Sequence, residues 1–321
     1  MANSKVVFSL LSLAAALVFS LSLAIGSVSV FDANWHDLAD SHSLAHALIF
    51  DLRLPRALTA FACGGLLALA GALMQVLLRN PLADPFIMGV SGGAAIGALT
   101  SMLLGLTTLL VDAAAGVGAL MATILVFRLA HGEGGWTTAR LLLTGVVVAA
   151  GASAIISLLL SLSDDSRLRN MLFWLMGDVS LSTRGDVLLV VLIVAVALCE
   201  PFARQLNVLA RGETQARILG APVDALRTGI FICGSIFTAL TVTAAGTIGF
   251  VGLVTPHLAR LMLGSDHRRV LPAAALLGGT LVSIADLVAR TLFAPRQLPV
   301  GALTALAGVP LFLFLMRRVR S

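Results

Sequence analysis

Ten apolar runs, separated by charges or by proline and glycine, divide the chain: 6–28, 57–78, 87–106, 108–130, 140–162, 187–203, 228–248, 250–264, 271–293 and 299–316. A helix needs about 20 residues at 1.5 Å rise to cross a bilayer core of about 30 Å. Most runs meet that length, so each is read as a membrane helix. Run 250–264 is shorter. It is expected to be a partial span inside the bundle, where protein or water satisfies its backbone. The expected fold class is all-α: a polytopic membrane helical bundle of about ten transmembrane helices, one transmembrane domain over 1–321.

Composition excludes an ordinary soluble domain. Charged residues make up 12% and hydrophobic residues 59%, where soluble domains carry about 25% charged residues. The net charge of +5 does not indicate nucleic acid, because the basic residues are scattered between apolar runs and read as topology signals. With the amino terminus inside, Lys5, Arg79, Arg128, Arg140, Arg204, Arg211, Arg217, Arg227, Arg260, Arg268, Arg269, Arg317, Arg318 and Arg320 fall on the inner side. Arg53, Arg56, Arg167, Arg169, Arg184, Arg290 and Arg296 fall outside. That asymmetry places both termini in the cytoplasm. The outer loop 31–52 carries Asp32, Asp37, Asp40 and Asp51. The first run is about twice the 7–15-residue core of a secretory signal and reads as a retained helix.

The single lysine, Lys5, lies in "NSKVV" and not after a glycine loop. A P-loop needs that lysine at the phosphates, so any ATP chemistry must come from another subunit. Cys63, Cys199 and Cys233 have no CxxC spacing and read as small buried hydrophobes. No GxSxG, HExxH or membrane carboxylate cluster marks an enzyme.

Several stretches carry more than packing. "RNPLADP" (79–85) breaks the greasy pattern with two prolines and with Asn80 and Asp84, which can bond free backbone groups in a turn. It reads either as a simple inter-helix loop or as a constriction at the inner mouth of a path. "RQLNVLARGETQARILGAPVDALR" (204–227) places Leu206, Leu209 and Ala210 on one helical face and Ala216, Leu219 and Gly220 on another. Two short helices with a bend, outside the bilayer, fit that pattern. Arg211, Glu213, Arg217 and Asp224 suit docking to a polar protein surface. "DLRLPRAL" (51–58) and "APRQLPVG" (294–301) set Arg53, Arg56 and Arg296 at outer helix ends. They are either snorkelling arginines or a rim for carboxylates of a soluble partner.

His36, His42 and His46 have metal-compatible spacing but no acidic or cysteine ligand fixed beside them, and a wet outer loop is favoured. His257, after Pro256, reads as a packing or capping residue or as part of a path. Asp286 is an ionisable group within a span, and pairing with Arg290 at i+4 is favoured over a functional role.

Five long stretches together resemble the permease subunits of ATP-binding-cassette importers for iron–siderophores, haem and vitamin B12. They are "RLPRALTAFACGGLLALAGALMQVLLRNPLADPFIMGVSGGAAIGAL" (53–99), "RLLLTGVVV" (140–148), "LNVLARGETQARILG" (206–220), "GTIGFVGLVTPHLARLMLGSDHRRVLPAAALLGG" (246–279) and "ADLVARTLFAPRQLPVGALTALAGVPLFLFLMRR" (285–318). The resemblance covers nearly the whole chain. It implies a ten-helix permease paired with a second copy, two cytoplasmic ATPase subunits and a periplasmic or lipoprotein substrate-binding protein. No cofactor is expected on this chain, with ATP and Mg used by the ATPase. The implied location is the bacterial inner (plasma) membrane.

The resemblance also implies residue roles. Asn80 and Leu82 form part of an inner gate, with Thr137 and Thr138 a second constriction at the start of the fifth span. Leu209, Arg211, Gly212, Glu213, Arg217 and Gly220 belong to the segment that couples to the ATPase. Arg53, Arg56 and Arg296 dock the binding protein. Gln297 stands where the family usually has glutamate in "ELPxG"; function is not expected to be lost by that change, but no charge is assigned to that corner. "MLFWLMGDVS" (171–180) departs from the "FWxxGSL" pattern associated with haem carriers. An iron–siderophore is the expected substrate on family frequency, with cobalamin and then haem as alternatives. An ion-driven secondary transporter and an intramembrane enzyme remain as other classes.

Overall fold

The computed structural model describes residues 4–26, 42–132, 135–180 and 184–319. Asp32, His36, Asp37, Asp40 and Arg320 lie outside the described residues. Helices α1 (Ser4–Ala24), α2 (Leu54–Leu77), α3 (Val90–Leu103), α4 (Thr108–Ala130) and α5 (Thr138–Ser161) make up the first half. A π-helical stretch, Ala47–Arg53, leads into α2, and a 3-10 turn, Pro85–Met88, precedes α3. After the short α6 (Asp165–Met176) come α7 (Gly185–Cys199), α8 (Ala203–Leu209) and α9 (Glu213–Ile218). The chain closes with α10 (Val223–Ala245), α11 (Val251–Leu263), α12 (His267–Thr291) and α13 (Val300–Val319).

Each of the ten sequence runs coincides with one of these longer helices. Seven helical stretches among the described residues are long and apolar enough to cross a membrane, and α3, α11 and Val300–Leu315 are shorter apolar helices. The structure adds α6, which the sequence reading missed. Its signal was modest: Met171 and Trp174, buried at i, i+3 spacing behind the N-cap position Asp164.

The core is built around α2, which packs on α7, α10, α11 and α12. Small residues make that contact possible. A Cβ on Gly64 would lie 2.1 Å from the Gly278 carbonyl oxygen, and one on Gly71 only 1.8 Å from that of Gly252. Backbones this close gain dispersion and carbonyl contacts, which substitute for a hydrophobic drive that lipid does not supply. The peripheral helices carry the opposite pattern: Leu13 and Leu17 of α1, Met121 of α4 and Val190 of α7 are exposed. Such apolar surface suits acyl chains rather than water.

Helix α11 has 13 residues, about 20 Å at 1.5 Å per residue, so it falls short of a full crossing. The chain between α10 and α11 is unwound, with Gly246 at φ 65° and Phe250 at φ 68°. Neighbouring breaks satisfy the exposed backbone. Asp178 N–H donates to the Ala245 carbonyl at 2.9 Å, and Val300 N–H to that of Gly177 at 2.9 Å. The Thr247 hydroxyl donates to the Leu175 carbonyl. Irregular backbone is thus packed against irregular backbone inside protein, the condition that lipid imposes.

Candidate functional site: a gate turn and a coupling segment

The turn that ends α2 is a built structure. Arg79 takes a left-handed φ of 47°. Asn80 Oδ1 accepts from Leu82 N–H at 2.9 Å, closing an Asx turn. Asp84 Oδ1 accepts from Phe86 N–H at 2.8 Å and caps the 3-10 turn. Pro85 opens that turn, where its missing donor costs nothing, and Gly89 at φ 71° ends it. Leu82 projects into the open, 41% exposed. Behind the turn lies a cavity of about 470 Å³, mostly apolar, whose lining includes Phe86, Ile87, Val146, Ala149, Phe250 and Leu253. Asp84 and the 3-10 turn that follows it therefore border a greasy space shared with α5 and the unwound 246–250 segment.

Thr137 and Thr138 begin α5. The Thr137 hydroxyl accepts from Arg140 N–H at 3.2 Å, a helix N-cap. Trp136, just before it, is held by aromatic neighbours: Phe127 at 6.5 Å and Phe231 at 6.4 Å between ring centroids.

The polar segment 204–227 forms the two short helices that the sequence predicted, α8 and α9, with Gly212 at φ 128° in the bend. Leu206, Leu209 and Ala216 are buried and anchor the segment. Ala210, Leu219 and Gly220, which share those helical faces, are exposed. Ile218 and Leu219 stand out at 80% and 68% exposed, an apolar knob on an otherwise polar loop. Glu213 faces inward: its carboxylate lies 3.3 Å from Arg227 and 3.8 Å from Arg79. Arg217 pairs with Asp224 at 2.8 Å on the surface.

Asn207 locks the elbow to the loop before α12. Its Nδ2 donates to Asp266 Oδ1 at 2.8 Å, and its Oδ1 meets the His267 backbone N–H at 2.8 Å and ring Nδ1 at 2.6 Å. A cavity of about 640 Å³ opens here, with Arg79, Asn80, Arg211, Arg260 and His267 in its lining. The 79–85 turn and the 204–227 segment therefore share one end of the bundle.

At the other end, where α2 begins, the predicted rim is largely internal. Arg53 is buried and donates to the Leu23 and Ala24 carbonyls, both at 2.9 Å. Arg56 donates through Nε to Asp286 Oδ1 at 2.9 Å and through Nη1 to Gln297 Oε1 at 3.2 Å. The predicted Asp286–Arg290 pair exists at 3.7 Å, but Arg56 is the nearer partner. Among the three arginines only Arg296 is exposed. The position that departs from the family pattern, Gln297, is thus used to hold Arg56. Cys63 and Cys199 are free and buried. His257 makes an edge contact with Phe312 at 6.4 Å, and His46 stacks near Phe50 at 4.6 Å.

Comparison with known proteins places this geometry. The model of the FecCD transport family matches residues 12–318. A cobalamin import system permease protein BtuC from Halobacterium salinarum is 42% identical over 276 residues, covering 85% of this chain and 74% of that one. A hemin transport system permease protein HmuU from Yersinia pestis is 38% identical over 328 residues, covering 97% and 93%. A solved structure described as an inward-facing conformation of a metal-chelate type ABC transporter superposes with a TM-score of 0.87 at 32% identity, covering 98% of this chain and all of the other. The chain belongs to the FecCD transport family. It is a multi-pass permease of an ATP-binding-cassette importer, not an enzyme.

Proposed function

From that membership we propose that the chain carries an intact ferric siderophore across the bacterial inner membrane, with both termini in the cytoplasm. It would work as a homodimer with two ATPase subunits below and a substrate-binding protein outside. The single observation that supports a metal chelate is the match over nearly the full chain to a transporter described as of metal-chelate type. Cobalamin is the second reading, favoured by the relatives that bear its name. Haem is the third.

The mechanism is alternating access. ATP closes the partner dimer, the segment 206–220 moves with it, and the gates exchange. Ile218 and Leu219 seat in the ATPase, flanked by Arg211 and Arg217. Asn80 holds the turn that presents Leu82, and two copies of that turn close the path at its cytoplasmic end. Thr137 and Thr138 narrow it beside them. The apolar cavity behind the turn offers a bulky chelate few specific contacts, which leaves selection to the binding protein. At the outer mouth Arg296 is the guanidinium open to that protein, while Arg53 and Arg56 hold the frame around it. Uptake by the reconstituted complex, offered a ferric siderophore, cobalamin or haem in turn, tests the substrate. Uptake of cobalamin alone would replace the siderophore reading by the second.

A further inference from the structure

Arg227 is a buried cation with two partner residues, Glu213 on α9 and Trp136 just before α5. It stands near the start of α10, and its side chain is only 8% exposed. Nη1 donates to Glu213 Oε2 of α9 at 3.3 Å. Nη2 donates to the Trp136 carbonyl at 2.9 Å. The guanidinium carbon lies 3.9 Å from the centre of the Trp136 ring, over its face. Phe231, one turn further along α10, packs against that ring as well. The other oxygen of Glu213 faces Arg79, at the start of the gate turn.

We propose that Arg227 is a positioning residue that carries movement of the coupling segment to the Trp136–Thr137–Thr138 constriction. A guanidinium is planar, and its donors keep fixed directions. With one nitrogen on the Glu213 carboxylate and the other on the Trp136 carbonyl, it acts as a short strut. Displacing α9 must then either drag the residue that precedes the Thr137 cap or break a buried, charge-assisted bond. The second course leaves a cation without its carboxylate in a desolvated place, which is costly. Glu213 also reaches Arg79, so the same carboxylate touches the Asn80 turn. One acidic side chain on α9 therefore addresses both constrictions.

This inference rests on the reading of 206–220 as the ATPase-coupling segment. The test uses the full complex of permease, ATPase and binding protein, with 5-fluorotryptophan in the permease alone and Trp136→Phe to assign the resonance. In the native complex a non-hydrolysable ATP analogue shifts the Trp136 fluorine signal. Arg227→Lys keeps the charge but replaces the rigid two-nitrogen fork with a single flexible ammonium, and Glu213→Gln keeps the shape but loses the ion pair. Each is expected to abolish the shift while the ATPase stays bound. Uptake per ATP hydrolysed should fall about tenfold, the scale of an ordinary coupling free energy. A normal shift in both variants overturns the strut and leaves the coupling reading intact. No shift in the native complex also overturns it. Whether the coupling reading falls too is decided separately, by whether Ile218→Ser with Leu219→Ser releases the ATPase.

Discussion

Arg56 Nε lies 2.9 Å from Asp286 Oδ1, across 230 residues of sequence, and the carboxylate is 1% exposed. Arg290 approaches its second oxygen at 3.7 Å. One acid thus holds two cations where α2 and α12 meet. Asp286→Asn should leave both cations without a counter-charge and cost about 3 kcal/mol, as breaking a buried pair does. The yield of folded permease in detergent checks this. A variant that folds normally but loses uptake would instead give Asp286 a transport role.

Close backbone contact between α2 and α12 depends on Gly64 and Gly278. Gly278→Ala places a methyl carbon 2.3 Å from the Gly64 carbonyl oxygen, and overpacking of this kind costs about 1–3 kcal/mol. Gly151→Ala meets nothing within 4 Å and should leave thermal stability unchanged or slightly raised, since alanine is the better helix former. Melting temperatures of the two variants, compared side by side, separate packing from a general intolerance of alanine.

The gate turn depends on an acceptor at residue 80. Asn80→Ala frees the Leu82 N–H and should raise leak through the idle complex while lowering ATP-coupled uptake several-fold. Asn80→Asp keeps the oxygen and should restore most of both. Liposome leak and uptake, measured together, decide it. Equal behaviour of the two variants would remove the Asx turn from the mechanism.

Ile218 and Leu219 are exposed and support no core packing. Replacing both by serine should leave the melting temperature of the isolated permease within about 1 °C, since surface changes alter stability little. ATPase binding should weaken by about a hundredfold, some 2.7 kcal/mol. Titration of purified ATPase onto the permease reads this directly.

Much of this was legible in sequence for a physical reason. Lipid demands apolar runs, so the seven spanning stretches and the three shorter apolar helices all declare themselves as runs. Two prolines with Asn80 and Asp84 similarly announced a compact turn. The fate of Arg53 and Arg56 was not legible. An arginine at a span mouth looks the same whether it faces water or a carboxylate 230 residues away. Arg227 was hidden likewise, because its partners Trp136 and Glu213 come from other elements. The unwinding at 246–250 follows from Gly246 and Phe250 in left-handed conformations, which a run rich in glycine and β-branched residues does not reveal.

The central claim is that ATP hydrolysed by a partner drives this permease. The most direct test is ATP hydrolysis and ligand uptake measured together in liposomes that hold this chain and its ATPase, with loaded binding protein outside. The account predicts hydrolysis stimulated by the loaded binding protein, and uptake that stops when ATP is withheld and persists when ion gradients are collapsed. Uptake that follows an ion gradient without ATP would contradict it.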